Sequence, residues 1–321
     1  MRAIQVSEHG GPEVLRYVEV PDPQAGPGQL LVETQGVGVN YIDIYFRTGQ
    51  YPQATPYLPG SEGTGIVVAI GSDVTEFAVG DRVAWASAPG SYADLVTVDE
   101  AVAVKVPDDV EPAVAAAALL QGMTAHYLTE SVFSPEPGDP VLVHAGAGGV
   151  GLLLTQMAVA KGARVITTVS TDAKEKLSRE AGATEVLRYD DDLAARVRDL
   201  TDGIGVAAVY DGVGASTFEA SLASLRVRGT LALFGAASGA VPPFDPQRLN
   251  AAGSLWLTRP SLGAYTRDRT EFLWRATDVF DWIAAGTLNL RIGATYPLAD
   301  AAQAHRDLAD RKTTGSIVLL P

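Results

Sequence analysis

Glycines 146, 148 and 151 stand in the spacing Gly-x-Gly-x-x-Gly, within His144-Ala-Gly-Ala-Gly-Gly-Val-Gly151. Between a strand and a helix, that spacing gives a tight turn, close backbone approach to a pyrophosphate, and close helix–strand packing. The chemistry it serves is dinucleotide binding, with the pyrophosphate on the unpaired N–H groups and positive dipole end of the helix near Val150. About twenty residues on, where an acid commonly holds the ribose 2′-hydroxyl of NAD, the chain reads Ser170-Thr171-Asp172-Ala173-Lys174. Two hydroxyls and a lysine suit a 2′-phosphate, so NADPH is the expected cofactor. Asp172 can instead reach the ribose, but helix capping is the expected role for it.

The elements around the turn fit that chemistry. Val141-Leu-Val-His is a short apolar strand, Val150–Ala160 an apolar helix closed by Lys161-Gly162, and Arg164–Val169 a β-branched strand. Helices at 173–181 and 193–200 and strands at 206–210, 230–234 and 254–258 continue the alternation of a helix-covered parallel sheet. Residues 1 to about 121 differ: short alternating runs such as Gln29-Leu-Leu-Val-Glu-Thr are parted by close turn signals, the pattern of a barrel or sandwich. Pro112–Leu120, rich in alanine, reads as helix, as does the region of Thr270–Ala285. Gly315-Ser-Ile-Val-Leu-Leu reads as a strand returning to the first domain. The expected division is 1–121 with 262–321, and an inserted 122–261, with a cofactor cleft at the junction.

Composition narrows the function. Among 321 residues there is no cysteine, which removes disulfides, thiol catalysis and thiolate-held zinc. The four histidines (His9, His126, His144, His305) have no metal-cage spacing, and no metal is expected. A net charge of -14 speaks against nucleic acid or an anionic membrane as the main partner. No apolar run of about 18 residues is present. The start reads as a strand rather than a signal segment, so the expected location is cytoplasmic.

The glycine turn stands beside Asn40-Tyr-Ile-Asp-Ile-Tyr45, Gly60-Ser-Glu-Gly-Thr-Gly65, Gly80-Asp-Arg-Val83 and Gly122-Met-Thr-Ala125. Together, from Gly10-Gly-Pro-Glu-Val14 to the C-terminus, they make the chain resemble the zinc-independent quinone oxidoreductases, the zeta-crystallin type of the medium-chain dehydrogenase/reductase superfamily. The resemblance implies an α/β protein with a GroES-like β-barrel domain and a Rossmann doubly wound parallel-sheet domain. It also implies a homodimer or tetramer built through the Rossmann sheets; a homodimer is expected here. Zinc-dependent relatives carry Gly-His-Glu at Gly60-Ser61-Glu62 and a cysteine near Asn40, so both zinc ligands are missing.

Carried over residue by residue, the resemblance sets Asn40, Tyr41, Ile42, Asp43, Ile44 and Tyr45 near the nicotinamide, with Thr124 and Tyr127 close by. Gly148, Gly149, Val150 and Gly151 match the pyrophosphate positions. Ser170, Thr171, Asp172, Ala173, Lys174 and Tyr189 match the 2′-phosphate pocket. Val213, Ala237, Ser238, Gly239 and Ala240 match further lining positions, as do Gly263, Ala264, Tyr265 and Arg311. Asp172 and Ala240 are carried as backbone contacts only.

The reaction implied is hydride or electron transfer from NADPH to a quinone, with Tyr45 and Asn40 as donors to developing negative charge on the acceptor oxygen. The alternatives are a 2-alkenal or enoyl reductase on the same fold and a non-catalytic, crystallin-like NADPH-binding protein. Other polar features have plainer readings. His144 at a strand end is expected to be a packed core histidine. Asp190-Asp191-Asp192 is expected to cap a helix rather than bind a cation. Of Arg226, Arg228, Arg259 and Arg267, only Arg259 is a candidate for anions.

Overall fold

The computed structural model describes residues 1–190 and 192–321. The chain divides into two compact units, Met1–Met123 with Thr266–Pro321, and Thr124–Tyr265.

The second unit is built on six parallel strands in the spatial order Glu185–Arg188, Arg164–Val169, Pro140–Val143, Val206–Asp211, Leu225–Leu233, Trp256–Thr258. In chain order that is 3-2-1-4-5-6, the doubly wound arrangement of a dinucleotide-binding sheet. The central strands are apolar nearly throughout because helices cover both faces. Val141, Leu142, Val165, Ile166 and Val206–Tyr210 are all fully buried. Each large apolar side chain among them contributes about 1.5–3 kcal/mol when removed from water. The helix Gly149–Ala160 is likewise apolar, and Leu152, Leu153, Leu154, Met157 and Ala158 are buried. Glu185–Arg188, unforeseen from the sequence, forms one sheet edge with only Val186 and Leu187 as apolar residues. Its charged ends suit an edge strand, which must discourage pairing with other chains.

The first unit carries a mostly antiparallel seven-stranded sheet. The long strand Gln29–Val39 is its spine, paired with Gly63–Ile70, Leu95–Asp99 and Ser316–Leu320. The last of these returns from the C-terminus as the sequence suggests, Ile317 facing Val39. Leu30, Val32, Val67, Val83, Trp85 and Val98 alternate inward and are buried to the last atom. Arg82–Trp85 continues the sheet beyond Gly63–Ile70. The alanine-rich stretch is broken: Pro112–Ala115 is a single turn, and the longer helix is Leu119–Tyr127. Tyr41–Arg47 and Ala301–Ala309 form helices that touch each other.

Candidate active site

Parallel pairing puts the carboxyl ends of all six strands of the second unit on one edge, and the loops that leave them carry most of the sequence-expected contacts. Pro140–Val143 runs into the glycine turn. Ala145 there adopts φ 54, and Gly148 is the N-cap of the helix Gly149–Ala160. A Cβ on Gly151 would stand 2.2 Å from the Ala145 carbonyl oxygen, and one on Gly146 would stand 2.6 Å from Thr167 Cβ. Both glycines are therefore required by protein packing. A Cβ on Gly148 would meet only the Ala145 oxygen, at 3.3 Å. That contact is tight but milder than the other two, and the rest of the position is clear, as close approach of a pyrophosphate demands.

Arg164–Val169 leads to Ser170 and to the helix Asp172–Glu180. Its cap corrects the expectation for Asp172. Thr171 has extended backbone, and its hydroxyl accepts the Lys174 N–H. Asp172 is the first helical residue, past the cap geometry, and bonds Arg188 at 2.8 Å. Arg188 holds Glu175 as well, at 2.7 Å. It raises no signal in the sequence, yet it draws two acids together beside Ser170–Lys174. Tyr189 follows it, accepting the Ala145 N–H at 2.8 Å and stacking on His144 at 6.0 Å. The third strand thereby reaches the glycine turn.

His144 is fully enclosed, as expected of a core histidine: Nδ1 meets Thr168 Oγ1 at 2.9 Å and Nε2 meets Ser221 Oγ at 3.0 Å. Burial lowers its pKa, so it is neutral. Ser221 in turn donates to Asp211, which also accepts from Thr217 and from the N–H groups of Val213 and Gly214. Asp211 at the end of Val206–Asp211 thus shapes the loop holding Val213. The Val213 carbonyl accepts the Ser238 N–H and hydroxyl, both at 2.8 Å, and Ala237 N–H bonds Gly212. Ala240 lies exposed just beyond. Gly263 and Ala264 sit in the short helix Leu262–Tyr265, and Tyr265 stacks on Tyr127 at 4.6 Å and 7°. Thr124 is buried.

The first unit assembles the other group. Asn40 precedes the helix Tyr41–Arg47, and its backbone N–H donates to Asp43 Oδ2 at 2.8 Å. Its side chain is engaged too: Nδ2 donates to Glu62 at 2.7 Å, and Oδ1 accepts from Gln121 Nε2 at 2.9 Å. Gln121 Oε1 accepts from Ser316 Oγ at 2.8 Å, and Glu62 Oε1 accepts the Leu120 N–H at 2.7 Å. Burial pushes the Glu62 carboxyl up to about 8, against the N–H groups that hold it down. Tyr45 is buried among Tyr41, at 6.2 Å, and Tyr51, at 5.1 Å. The Tyr41 hydroxyl donates to the Leu308 carbonyl at 3.1 Å and interacts with Arg311, an expected site residue far away in sequence. Ile42 is half-buried and Ile44 buried in the same helix.

Beneath this helix runs a relay the sequence does not announce. Tyr92 donates to Asp43 Oδ2 at 2.9 Å, and its oxygen lies 3.0 Å from His305 Nε2; His305 Nδ1 lies 3.1 Å from Arg47 Nη1. A guanidinium only donates, so Nδ1 accepts and the proton sits on Nε2, which donates to Tyr92. Burial and the neighbouring Arg47 lower His305 to about 3, so it stays neutral. Burial raises Asp43 to about 7, while the Asn40 N–H and the Tyr92 hydroxyl hold it down.

Other polar features are engaged within the chain. Arg226 pairs with Asp139, and Arg259 donates to the neighbouring Pro260 carbonyl. Asp192 is the N-cap of Leu193–Asp199 and Asp190 pairs with Arg196; Asp191 lies outside the described residues. Among the described residues no group of three or more His, Asp or Glu is placed to hold a metal, and no helix is long and apolar enough to cross a membrane.

A doubly wound sheet with a glycine turn at its carboxyl edge, in a chain that also builds a mostly antiparallel unit, defines the dinucleotide-binding dehydrogenase class. Residues 26–108 match the alcohol dehydrogenase GroES-like domain, and 149–273 match the zinc-binding dehydrogenase domain. A mycobacterial protein solved with NADPH is 60% identical, with full coverage of both chains and a TM-score of 0.98. The Escherichia coli quinone oxidoreductase, also solved with NADPH, is 39% identical over 100% of both chains, with a TM-score of 0.98. A 2-haloacrylate reductase of a Burkholderia species is 38% identical over 99% of this chain and 98% of its own. The chain belongs to the quinone oxidoreductase family of the medium-chain dehydrogenases/reductases.

Proposed function

We propose that the protein is an NADPH-dependent quinone oxidoreductase that works without zinc. The observation that carries this reading is the carboxyl edge of the six-stranded sheet. It gathers a glycine turn in which Gly148 faces one carbonyl alone, a helix N-terminus, and Lys174 beside an Asp172 already drawn onto Arg188. Backbone N–H groups at Gly149–Gly151 suit a pyrophosphate. Ser170, Thr171, Lys174 and Tyr189 suit a 2′-phosphate, with Lys174 as charge partner. The bound dinucleotide supplies the hydride. Tyr45 and Asn40 orient the acceptor and donate to its oxygen as negative charge builds there. A quinol oxygen takes its proton from water, so no general acid is required of the chain. At Gly60-Ser61-Glu62 and Asn40, a serine and an amide stand where a zinc site needs imidazole and thiolate.

We further propose a cytoplasmic homodimer joined edge to edge through the second unit. Trp256–Thr258 ends its sheet, and Trp256 and Val227 are each 68% exposed there. Two large apolar side chains beside an open sheet edge favour a second copy. Sedimentation at micromolar concentration should give twice the mass of the chain.

The test of function follows NADPH absorbance with ortho- and para-quinones, enones and alcohols, with and without a chelator. Quinone-dependent oxidation that the chelator leaves unchanged is expected. Enone turnover exceeding that of every quinone moves the assignment to an enoyl or haloacrylate-type reductase, and tight NADPH binding without any turnover moves it to a binding protein. A tenfold preference for NADH overturns the cofactor. Tyr45→Phe should lower turnover by less than about a hundredfold.

A further inference from the structure

We propose that Glu62 is a positioning residue: by accepting from both Leu120 and Asn40, it dictates which end of the Asn40 amide is the donor end. The inference rests on the reading of Asn40 as a donor to the acceptor oxygen. It starts from the four linked bonds Leu120 N–H to Glu62, Asn40 to Glu62, Gln121 to Asn40 and Ser316 to Gln121. The side chains of Asn40, Glu62, Gln121 and Ser316 are all at least nine-tenths buried, so water cannot replace a partner that turns the wrong way.

An amide is a donor at one end and an acceptor at the other, and the ends are nearly the same size. Nothing steric therefore orients Asn40 or Gln121. A carboxylate accepts only. With one Glu62 oxygen held by a backbone N–H that cannot turn, the other demands the Asn40 Nδ2. Asn40 Oδ1 must then face Gln121 Nε2, and Gln121 Oε1 must face the Ser316 hydroxyl. The sense of the chain is set at Glu62 and passed along. Asn40 Nδ2 carries a second proton that Glu62 does not use. If the amide turns over, that proton is replaced by an oxygen lone pair, which repels developing negative charge instead of stabilising it.

Glu62→Gln turns these four linked bonds round without losing one of them. The oxygen of the introduced amide keeps the Leu120 N–H, so its NH2 faces Asn40; Asn40 and Gln121 then invert, and Ser316 accepts instead of donating. In the double variant Glu62→Gln with Gln121→Glu, the introduced carboxylate accepts from both the inverted Asn40 and Ser316, restoring a fully paired network with its buried charge. A structural role and a positioning role therefore part company. If Glu62 only satisfies the fold, the double variant recovers both stability and turnover. If it sets the amide, stability recovers and turnover does not.

The experiment compares wild type, both variants and Asn40→Ala by thermal unfolding, quinone turnover and neutron diffraction from deuterated crystals, which shows the amide deuterons of Asn40 directly. Above about pH 8, where Glu62 is ionised, the expected results are an inverted Asn40 in both Glu62 variants, melting of the double variant close to wild type, and turnover down by about tenfold or more in both. Protonated Glu62 has the same one-donor, one-acceptor pattern as glutamine. Wild-type turnover should thus rise through about pH 8, with Asp43 and Tyr92 as the other ionisable groups bearing on Glu62, and Glu62→Gln should lack that rise. An Asn40 that keeps its sense in Glu62→Gln overturns the proposal, as does recovered turnover with Asn40 inverted. Full turnover in Asn40→Ala removes Asn40 from the reaction, and the neutron result then speaks to Glu62 alone.

Discussion

Replacing Tyr92 with phenylalanine deletes one oxygen at the centre of the buried relay from Arg47 to Asp43. That oxygen donates to Asp43 at 2.9 Å and receives the His305 Nε2 proton at 3.0 Å. A hydrogen bond to a charged acceptor contributes about 1.5–3 kcal/mol, and a buried donor left unpaired costs about 1–3 kcal/mol more. The phenyl ring fills the same space, so no cavity adds to the loss. The total, about 3–5 kcal/mol, corresponds to a fall in melting temperature of roughly 10 °C for a unit of this size. Tyr17→Phe, at a half-open surface position, should move it by about 1 °C or less.

The deficit depends on pH in a fixed direction. Asp43 titrates at about 7 in the folded chain, above its ordinary 3.8, so the folded state holds a proton the unfolded chain has released. Its contribution is complete below about pH 4 and is lost as pH rises through about 7. The Tyr92 hydroxyl is one of two groups holding that carboxyl down. Without it Asp43 titrates higher, and the decline of the variant continues to higher pH. His305, lowered to about 3 by burial and Arg47, pulls the other way below pH 6.5, but equally in both proteins. The melting deficit of Tyr92→Phe should therefore be larger at pH 8 than at pH 5. Calorimetry at both values checks it. A deficit under about 2 °C at pH 8, or one larger at pH 5, would refute the relay as drawn.

Two further outcomes concern the second unit. Gly151→Ala drives a methyl against the Ala145 carbonyl at 2.2 Å and should cost about 1–3 kcal/mol of stability together with NADPH affinity, whereas Gly148→Ala, with the same oxygen at 3.3 Å, should cost less stability and lose affinity, as read by calorimetry and by NADPH fluorescence titration. Lys174→Ala should raise KM for NADPH by about tenfold and leave that for NADH unchanged; equal effects on the two cofactors would place the 2′-phosphate elsewhere.

The second unit is readable in the sequence because buried parallel strands must be apolar runs, and Val141–Val143, Arg164–Val169 and Val206–Tyr210 announce themselves that way. Glu185–Arg188 is not, for the complementary reason: an edge strand with charged ends and two apolar residues has no periodicity to detect. Asp172 is expected at the cap because Thr171 and Asp172 are both good capping residues, and only the helix phase decides between them. Arg188 lies in that unreadable strand, so its grip on Asp172 and Glu175 is hidden too. The relay is invisible for a different reason. Asp43, Tyr92 and His305 are united by tertiary packing from widely separated parts of the chain, and none carries a local mark of its partners. The nearest signal is Asp43 three residues after Asn40, the spacing of a helix-capping pair.

Those partners bear on why Asn40 sits where it does. Two buried carboxylates address it: Asp43 takes its backbone N–H and Glu62 its side-chain amide. Burial pushes both carboxyls well above their ordinary range, which means that each ionised group opposes folding. Apolar residues of similar volume would commonly serve stability as well or better. Stability alone therefore gives no account of the pair. Orientation does: the Asp43 contact fixes the start of the Tyr41–Arg47 helix, and the Glu62 contact fixes the sense of the amide at its head. Two independent constraints on one residue leave it a single arrangement, which is the condition for a donor that must face developing charge without reorganising.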